Sequence, residues 1–166
     1  MEHKVFLSLG SSQGNRVAFL KNALACIEMF CGKINRVSKV YETEPWGFEM
    51  KGSFLNIAVE IQTGLSHDDM IQTILHIEKL MHRTREKTNV YMSRTIDIDI
   101  IFYDDIVMKS DKLTIPHPHI HERRFVLQPL SDIAPDLVHP ELNATVAEML
   151  SECRDKCLVN VSDISL

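Results

Sequence analysis

The chain has 166 residues, 45% hydrophobic and 25% charged, which is the size and composition of one folded domain with its own core. A formal net charge of -5 excludes a general nucleic-acid coat, which needs a basic face. No stretch approaches the length of a membrane span, and the apolar run near the N-terminus is too short for a secretory signal.

The four cysteines form no Cys-x-x-Cys pair, so reduced thiols and a cytoplasmic location are expected. No repeat, linker or low-complexity stretch interrupts the chain, and residues 1–166 are expected to form one domain. A monomer is expected, with a homodimer left open.

Lys4 to Leu9 reads as a first strand ending at Gly10. Asn15 suits a helix N-cap, after which Val17, Leu20, Leu24 and Ile27 recur at helical spacing. A second strand is predicted from Lys33 to Glu42, a Pro- and Gly-bearing loop over residues 44–52, and a returning antiparallel strand from Phe54 to Thr63. Ser66 with Asp69 has the spacing of a capping box and opens a helix to about Met81. A polar loop, Arg83 to Ser93, precedes the strongest strand signal, Thr95 to Tyr103. A Pro-rich turn at Ile115 to Pro118, a short helix at about 120–130 and a last helix at about 144–152 complete the chain. The succession strand, helix, strand, strand, helix, strand predicts an α+β, ferredoxin-like sandwich with helices packed on a mainly antiparallel sheet.

The segment Arg94-Thr95-Ile96-Asp97-Ile98-Asp99-Ile100-Ile101-Phe102 carries the most chemistry. Alternation along a strand sends Ile96, Ile98, Ile100 and Phe102 to the core and puts Asp97 and Asp99 together on the other face, roughly 6 to 7 Å apart. Two like charges so placed repel, and a hard divalent cation such as magnesium resolves the conflict. A pair of such ions suits polyphosphate oxygens. The alternative is a solvent-facing strand with two incidental acids. Arg83, Arg85 and Lys87 in the preceding loop, with Arg94 at the strand start, weigh against it, because they are cations placed to meet an anion.

A second basic cluster is Pro116-His117-Pro118-His119-Ile120-His121-Glu122-Arg123-Arg124-Phe125. Its alternate histidines lack Cys or Asp at zinc-ligand spacing, so zinc is disfavoured. A cationic surface turn and a nucleotide-contacting turn both remain open on the residues alone.

Together RTIDIDII, PHPHIHERRFVLQPL, LGSSQGNR and YETEPWGF…FLNIAVEI resemble, in order, the 6-hydroxymethyl-7,8-dihydropterin pyrophosphokinases, from about Val5 to about Pro140. The resemblance implies a ferredoxin-like domain that moves pyrophosphate from ATP onto the pterin in folate synthesis, with ATP and pterin as partners and no nucleic acid or membrane. It implies that Asp97 and Asp99 hold two Mg2+ ions, that Arg94, Arg83 and Arg85 engage the phosphates, and that His117 and Arg123 contact the triphosphate. Ile100, Lys112 and Thr114 fall at the family's adenine and ribose pocket. Thr43, Pro45, Trp46, Phe54, Asn56, Tyr91 and Phe125 fall at its pterin pocket, where aromatic faces and a directional polar edge are needed.

The chain departs from the family pattern at Val90 to Ser93, where many members read basic-Trp-Gly-Pro, and at Ser12, where Asn is usual. Two rival readings share the paired acids or the fold: another metal-dependent nucleotidyl- or glycosyltransferase, and a ferredoxin-like module that binds a small ligand without turnover.

Overall fold

The computed structural model describes residues 1–43, 53–81 and 95–166. In chain order it contains β1 (His3–Ser11), α1 (Arg16–Phe30), β2 (Lys33–Val37), β3 (Tyr41–Thr43), β4 (Phe54–Thr63), α2 (His67–Met81) and β5 (Asp97–Tyr103). A small hairpin of β6 (Met108–Lys109) and β7 (Thr114–Ile115) follows, then a 3-10 turn (Ile120–Glu122), α3 (Arg124–Ile133), α4 (Val146–Glu152) and β8 (Val159–Val161).

The main sheet runs β5-β1-β4-β3-β8, with β2 also paired to β4, and every pairing in it is antiparallel. This is the ferredoxin-like arrangement expected, with two changes. The predicted second strand is broken into β2 and β3, and the break is made at Ser38. Its N–H donates to Ala58 O at 2.9 Å, and its hydroxyl accepts from Ala58 N–H at 2.8 Å. The polar side chain thus takes the partner a continuing ladder would have used. The predicted helix at 120–130 is a 3-10 turn followed by α3, which starts later and runs on to Ile133.

Helix starts follow local chemistry. Asn15 Oδ1 accepts from Ala18 N–H at 3.0 Å. Ser66 Oγ accepts from Asp69 N–H at 3.2 Å and donates to the Asp69 carboxylate at 2.7 Å. Thr145 and Glu148 form a reciprocal capping box at the start of α4.

Both sheet faces are covered. On one, Val5, Leu7 and Leu9 of β1 with Leu55, Ile57, Val59 and Ile61 of β4 meet Leu20, Ala23 and Ile27 of α1 and Met70, Ile74 and Ile77 of α2. On the other, Phe6, Ala58, Ile101 and Phe102 meet Val126, Leu127, Leu130 and Ile133 of α3 and Val146 and Met149 of α4. Each fully buried Leu or Ile contributes about 1.5–3 kcal/mol, so both layers are held by the same apolar drive.

Ile96, Ile98 and Ile100 do share the α1/α2 face, but Phe102 does not. The β1–β5 register shifts, Phe6 pairing with Phe102 and Leu7 with Ile100, so Ile101 is an extra residue on β5. A bulge of this kind reverses the alternation beyond it. Ile101 and Phe102 therefore both pack under α3 and α4, and Tyr103 returns to the first face.

Candidate active site

The sheet register assembles a polar row on the α3-side face. Gly10 of β1 pairs with Asp97 of β5 on one side and with Asn56 of β4 on the other, and Asn56 pairs in turn with Tyr41 of β3. One step along, Ser8 pairs with Asp99 and Ala58. Paired residues across antiparallel strands project to the same face. Four strands therefore bring together residues separated by more than fifty positions in sequence.

Asp97 is half-buried and Asp99 exposed, while Ile98 between them lies 3% exposed in the core. The acids sit on one face of a strand, as alternation predicts, and present hard oxygen donors suited to a small divalent cation. Among the described residues no cluster of three or more His, Cys, Asp or Glu is present to hold a metal by itself. A cation here would complete its shell with oxygens from substrate or water.

β5 is an edge strand, and its outward Ile98 N–H donates to Glu78 of α2 at 2.8 Å. That bond ties the strand between its two acids to the last turn of the helix. Sequence reasoning did not single out Glu78. The available signal was its spacing, one helical turn after Ile74 on the buried face of α2.

The Asn56 amide is 4% exposed, and its Nδ2 donates to Thr43 Oγ1 at 2.6 Å. Its Oδ1 lies over Gly10, where an ideal Cβ would be only 2.8 Å away. Gly10, a strand end by sequence alone, leaves room for this amide. Phe54, partly buried, pairs with Thr43 at the end of β4. Tyr41 donates its hydroxyl to Asp132 of α3 at 2.8 and 2.9 Å. Burial, reinforced by the Asp132 bond and charge, pushes the Tyr41 phenol up to about 12 and keeps it a donor. This clamp between β3 and α3 was not foreseen.

The turn at His117 docks against the bulge of β5, its N–H donating to Ile101 O at 3.1 Å. Burial, then the neighbouring Arg123 charge, then His119, push the His117 imidazole down to about 4. The ring is therefore neutral at pH 7. Its Nδ1 accepts from His119 N–H at 3.3 Å, so the proton is assigned to Nε2, which points a neutral donor elsewhere. Arg123 lies with its Cζ 5.8 Å from the Phe125 ring centroid, so the two side chains form one unit at the start of α3.

Thr43, Phe54, Asn56, Asp97 and Asp99 are thus brought to one face by strand pairing, and His117 joins them through its bond to β5. Ile100 is 3% exposed with its side chain in the α1/α2 core, leaving only its backbone to meet a ligand. Lys112 is exposed and Thr114 half-buried on the β6–β7 hairpin. Pro45, Trp46, Arg83, Arg85, Tyr91 and Arg94 lie outside the described residues.

A model of the 7,8-dihydro-6-hydroxymethylpterin-pyrophosphokinase (HPPK) family matches residues 6–135. The chain belongs to that family. It is 42% identical over 139 residues to a 2-amino-4-hydroxy-6-hydroxymethyldihydropteridine pyrophosphokinase of Porphyromonas gingivalis, covering 82% of this chain and 94% of the relative. With the Aquifex aeolicus protein of the same name it shares 36% over 148 residues, covering 89% and 91%. Among solved structures, Plasmodium falciparum HPPK-DHPS with pteroate superposes with a TM-score of 0.78 at 20% identity. The match covers 92% of this chain and 44% of that one, and it shows that the HPPK fold is shared. All the described HPPK candidate residues lie within the matched segment, whereas α4 and β8 lie beyond it.

Proposed function

We infer that this chain transfers pyrophosphate from ATP to 6-hydroxymethyl-7,8-dihydropterin in folate biosynthesis, releasing AMP. The observation that best supports a site for it is the row Asp97–Gly10–Asn56. Across three adjacent strands Asp97, whose carboxylate shares a face with that of Asp99, lies in one row with a buried, directional amide.

The donor set fits magnesium: two carboxylates on one strand face offer hard oxygens, and among the described residues no group of three or more His, Cys, Asp or Glu is present to hold a different metal. We assign Asp97 and Asp99 to hold two Mg2+ ions. When bound, the ions would supply charge neutralisation to the ATP phosphates.

The protein's own residues do the rest by positioning and electrostatics, which carry most of the catalysis in phosphoryl transfer. Arg123 and the neutral Nε2–H of His117 contact the triphosphate. Arg83, Arg85 and Arg94 are assigned to the transferring group through the family resemblance. The Ile100 backbone, Lys112 and Thr114 hold the nucleoside. Asn56, fixed by Thr43, anchors the polar edge of the pterin, while Phe54, Phe125, Pro45, Trp46 and Tyr91 supply its apolar surroundings. The pterin hydroxymethyl oxygen bonds to the β-phosphorus and gives its proton to solvent, as the bond from that phosphorus to the α,β-bridging oxygen breaks and AMP departs with the oxygen.

No helix among the described residues is long and apolar enough to cross a membrane. Cys26, Cys31 and Cys153 are free thiols, which suits the cytoplasm, where we place the reaction.

Phosphorus NMR of a completed reaction with MgATP and the pterin tests this reading. One AMP per pterin consumed is expected. ADP as the main product would replace pyrophosphoryl with simple phosphoryl transfer, and no turnover would favour a binding module.

A further inference from the structure

We propose that the C-terminal segment from Cys153 to Val161 is a tie between the two halves of the site, and that Arg124 is the positioning residue that anchors it. The proposal rests on the assignment above of Arg123 to the ATP side and of Thr43 to the pterin side.

Arg123 and Arg124 are neighbours with different tasks. Arg123 bears on His117 and Phe125. Arg124 is spent on the tail: its Nε donates to Asp155 O at 3.0 Å, and its Nη2 donates to Cys153 O at 3.1 Å. Its backbone N–H donates to Asp155 Oδ2 at 3.0 Å. The other Asp155 oxygen accepts from Cys157 N–H at 2.9 Å, which turns the chain onward. A guanidinium is planar and donates in fixed directions, so two carbonyls gripped by one fork hold the tail in a defined orientation.

The tail then becomes β8, which pairs Val159 with Thr43, Asn160 with Glu42 and Val161 with Tyr41, and Ser162 N–H closes on Val40 O at 2.8 Å. Without β8, β3 would be a three-residue edge strand leading straight into the segment that holds Pro45 and Trp46. Short edge strands with open ladder groups are the parts of a sheet that fray first. One segment therefore fastens the residue next to Arg123 at one end and the residue under the pterin edge at the other. It lies beyond the residues that the family model matches.

The expected consequence is a loss of alignment rather than of affinity, since a displacement of about 1 Å between reacting groups can cost up to about 100-fold in rate. The test uses the full chain with Arg124→Ala, Asn160→Pro and both together. Asn160→Pro disrupts the β8 ladder at an exposed position away from Arg123. Turnover, the Kd of a non-hydrolysable ATP analogue and the melting temperature are measured for each. Each single change is expected to lower kcat about tenfold while the analogue Kd stays within about threefold, and the double variant is expected to lose no more than the worse single one.

A folded Arg124→Ala chain with wild-type kcat overturns the proposal. So do losses that multiply in the double variant, because Arg124 would then act on substrate independently of the tail. If Arg124→Ala does not fold, Asn160→Pro decides alone: lowered kcat with retained analogue binding supports the tie, and unchanged kcat overturns it. A wild-type chain that forms no AMP overturns the reaction, and the tie with it, and is told apart by the unmutated control.

Discussion

Asn56 and Gly10 face each other across adjacent strands so closely that a β-carbon at position 10 would sit 2.8 Å from Asn56 Oδ1. Gly10 also pairs with Asp97, so one glycine separates the amide assigned to the pterin from a carboxylate assigned to magnesium. Gly10→Ala is expected to push the amide off its rotamer, at about 0.5–1.5 kcal/mol, or roughly 2- to 13-fold in pterin affinity. Binding of the ATP analogue should change little. Calorimetry of pterin binding in the presence of the analogue checks this, and an unchanged pterin Kd in the folded variant would refute the steric role.

Asp97→Asn and Asp99→Asn each keep the shape of the side chain and remove its charge. Loss of a cation anchor is expected to cost several kcal/mol of barrier, or about three orders of magnitude in kcat. Because Asp99 is exposed and Asp97 half-buried, the melting temperature should stay within about 4 °C. Steady-state kinetics alongside thermal melts separate the two effects. Near-normal turnover in either folded variant would remove that residue from the site.

Glu78→Ala leaves the Ile98 N–H without its acceptor, and a buried unmet donor costs about 1–3 kcal/mol. Glu78→Gln retains an oxygen acceptor and should recover most of that stability. Urea titration of both variants is the measurement. Equal destabilisation by Gln and Ala would show that the charge of Glu78, not its bond to the strand, matters.

His117 predicts a pH dependence of stability. Its folded pKa lies near 4 against an ordinary value of 6.5, with burial the main cause and Arg123 next. The unfolded chain therefore takes up a proton first as pH falls. The stability that His117 contributes is complete above about 6.5, declines as pH drops toward 4 and levels off below it. Relative to wild type, His117→Gln should lose less stability across that window. Parallel slopes for the two proteins from pH 7 to pH 4 in chemical denaturation would contradict the assignment.

Much of this molecule was legible in its sequence because the signals were local. Hydrophobic period, the caps at Asn15 and Ser66 and the order of elements fixed the ferredoxin-like class. The alternation Ile96-Asp97-Ile98-Asp99-Ile100 set both acids on one face, since a strand reverses its side chains at every residue. Family resemblance, carried by motifs spread through the chain, named the reaction.

The remainder depends on register and on packing between distant segments. The extra residue at Ile101 turned Phe102 to the opposite layer, and no local pattern marks a bulge whose cause is pairing with Phe6 and Leu7. The Gly10–Asn56 approach, the Glu78 bond to β5, the Tyr41–Asp132 clamp and the grip of Arg124 on Asp155 each join residues at least twenty positions apart. Side-chain type announces that a donor or carboxylate needs a partner, but which partner it meets is settled only when strand pairing and helix docking bring the two together.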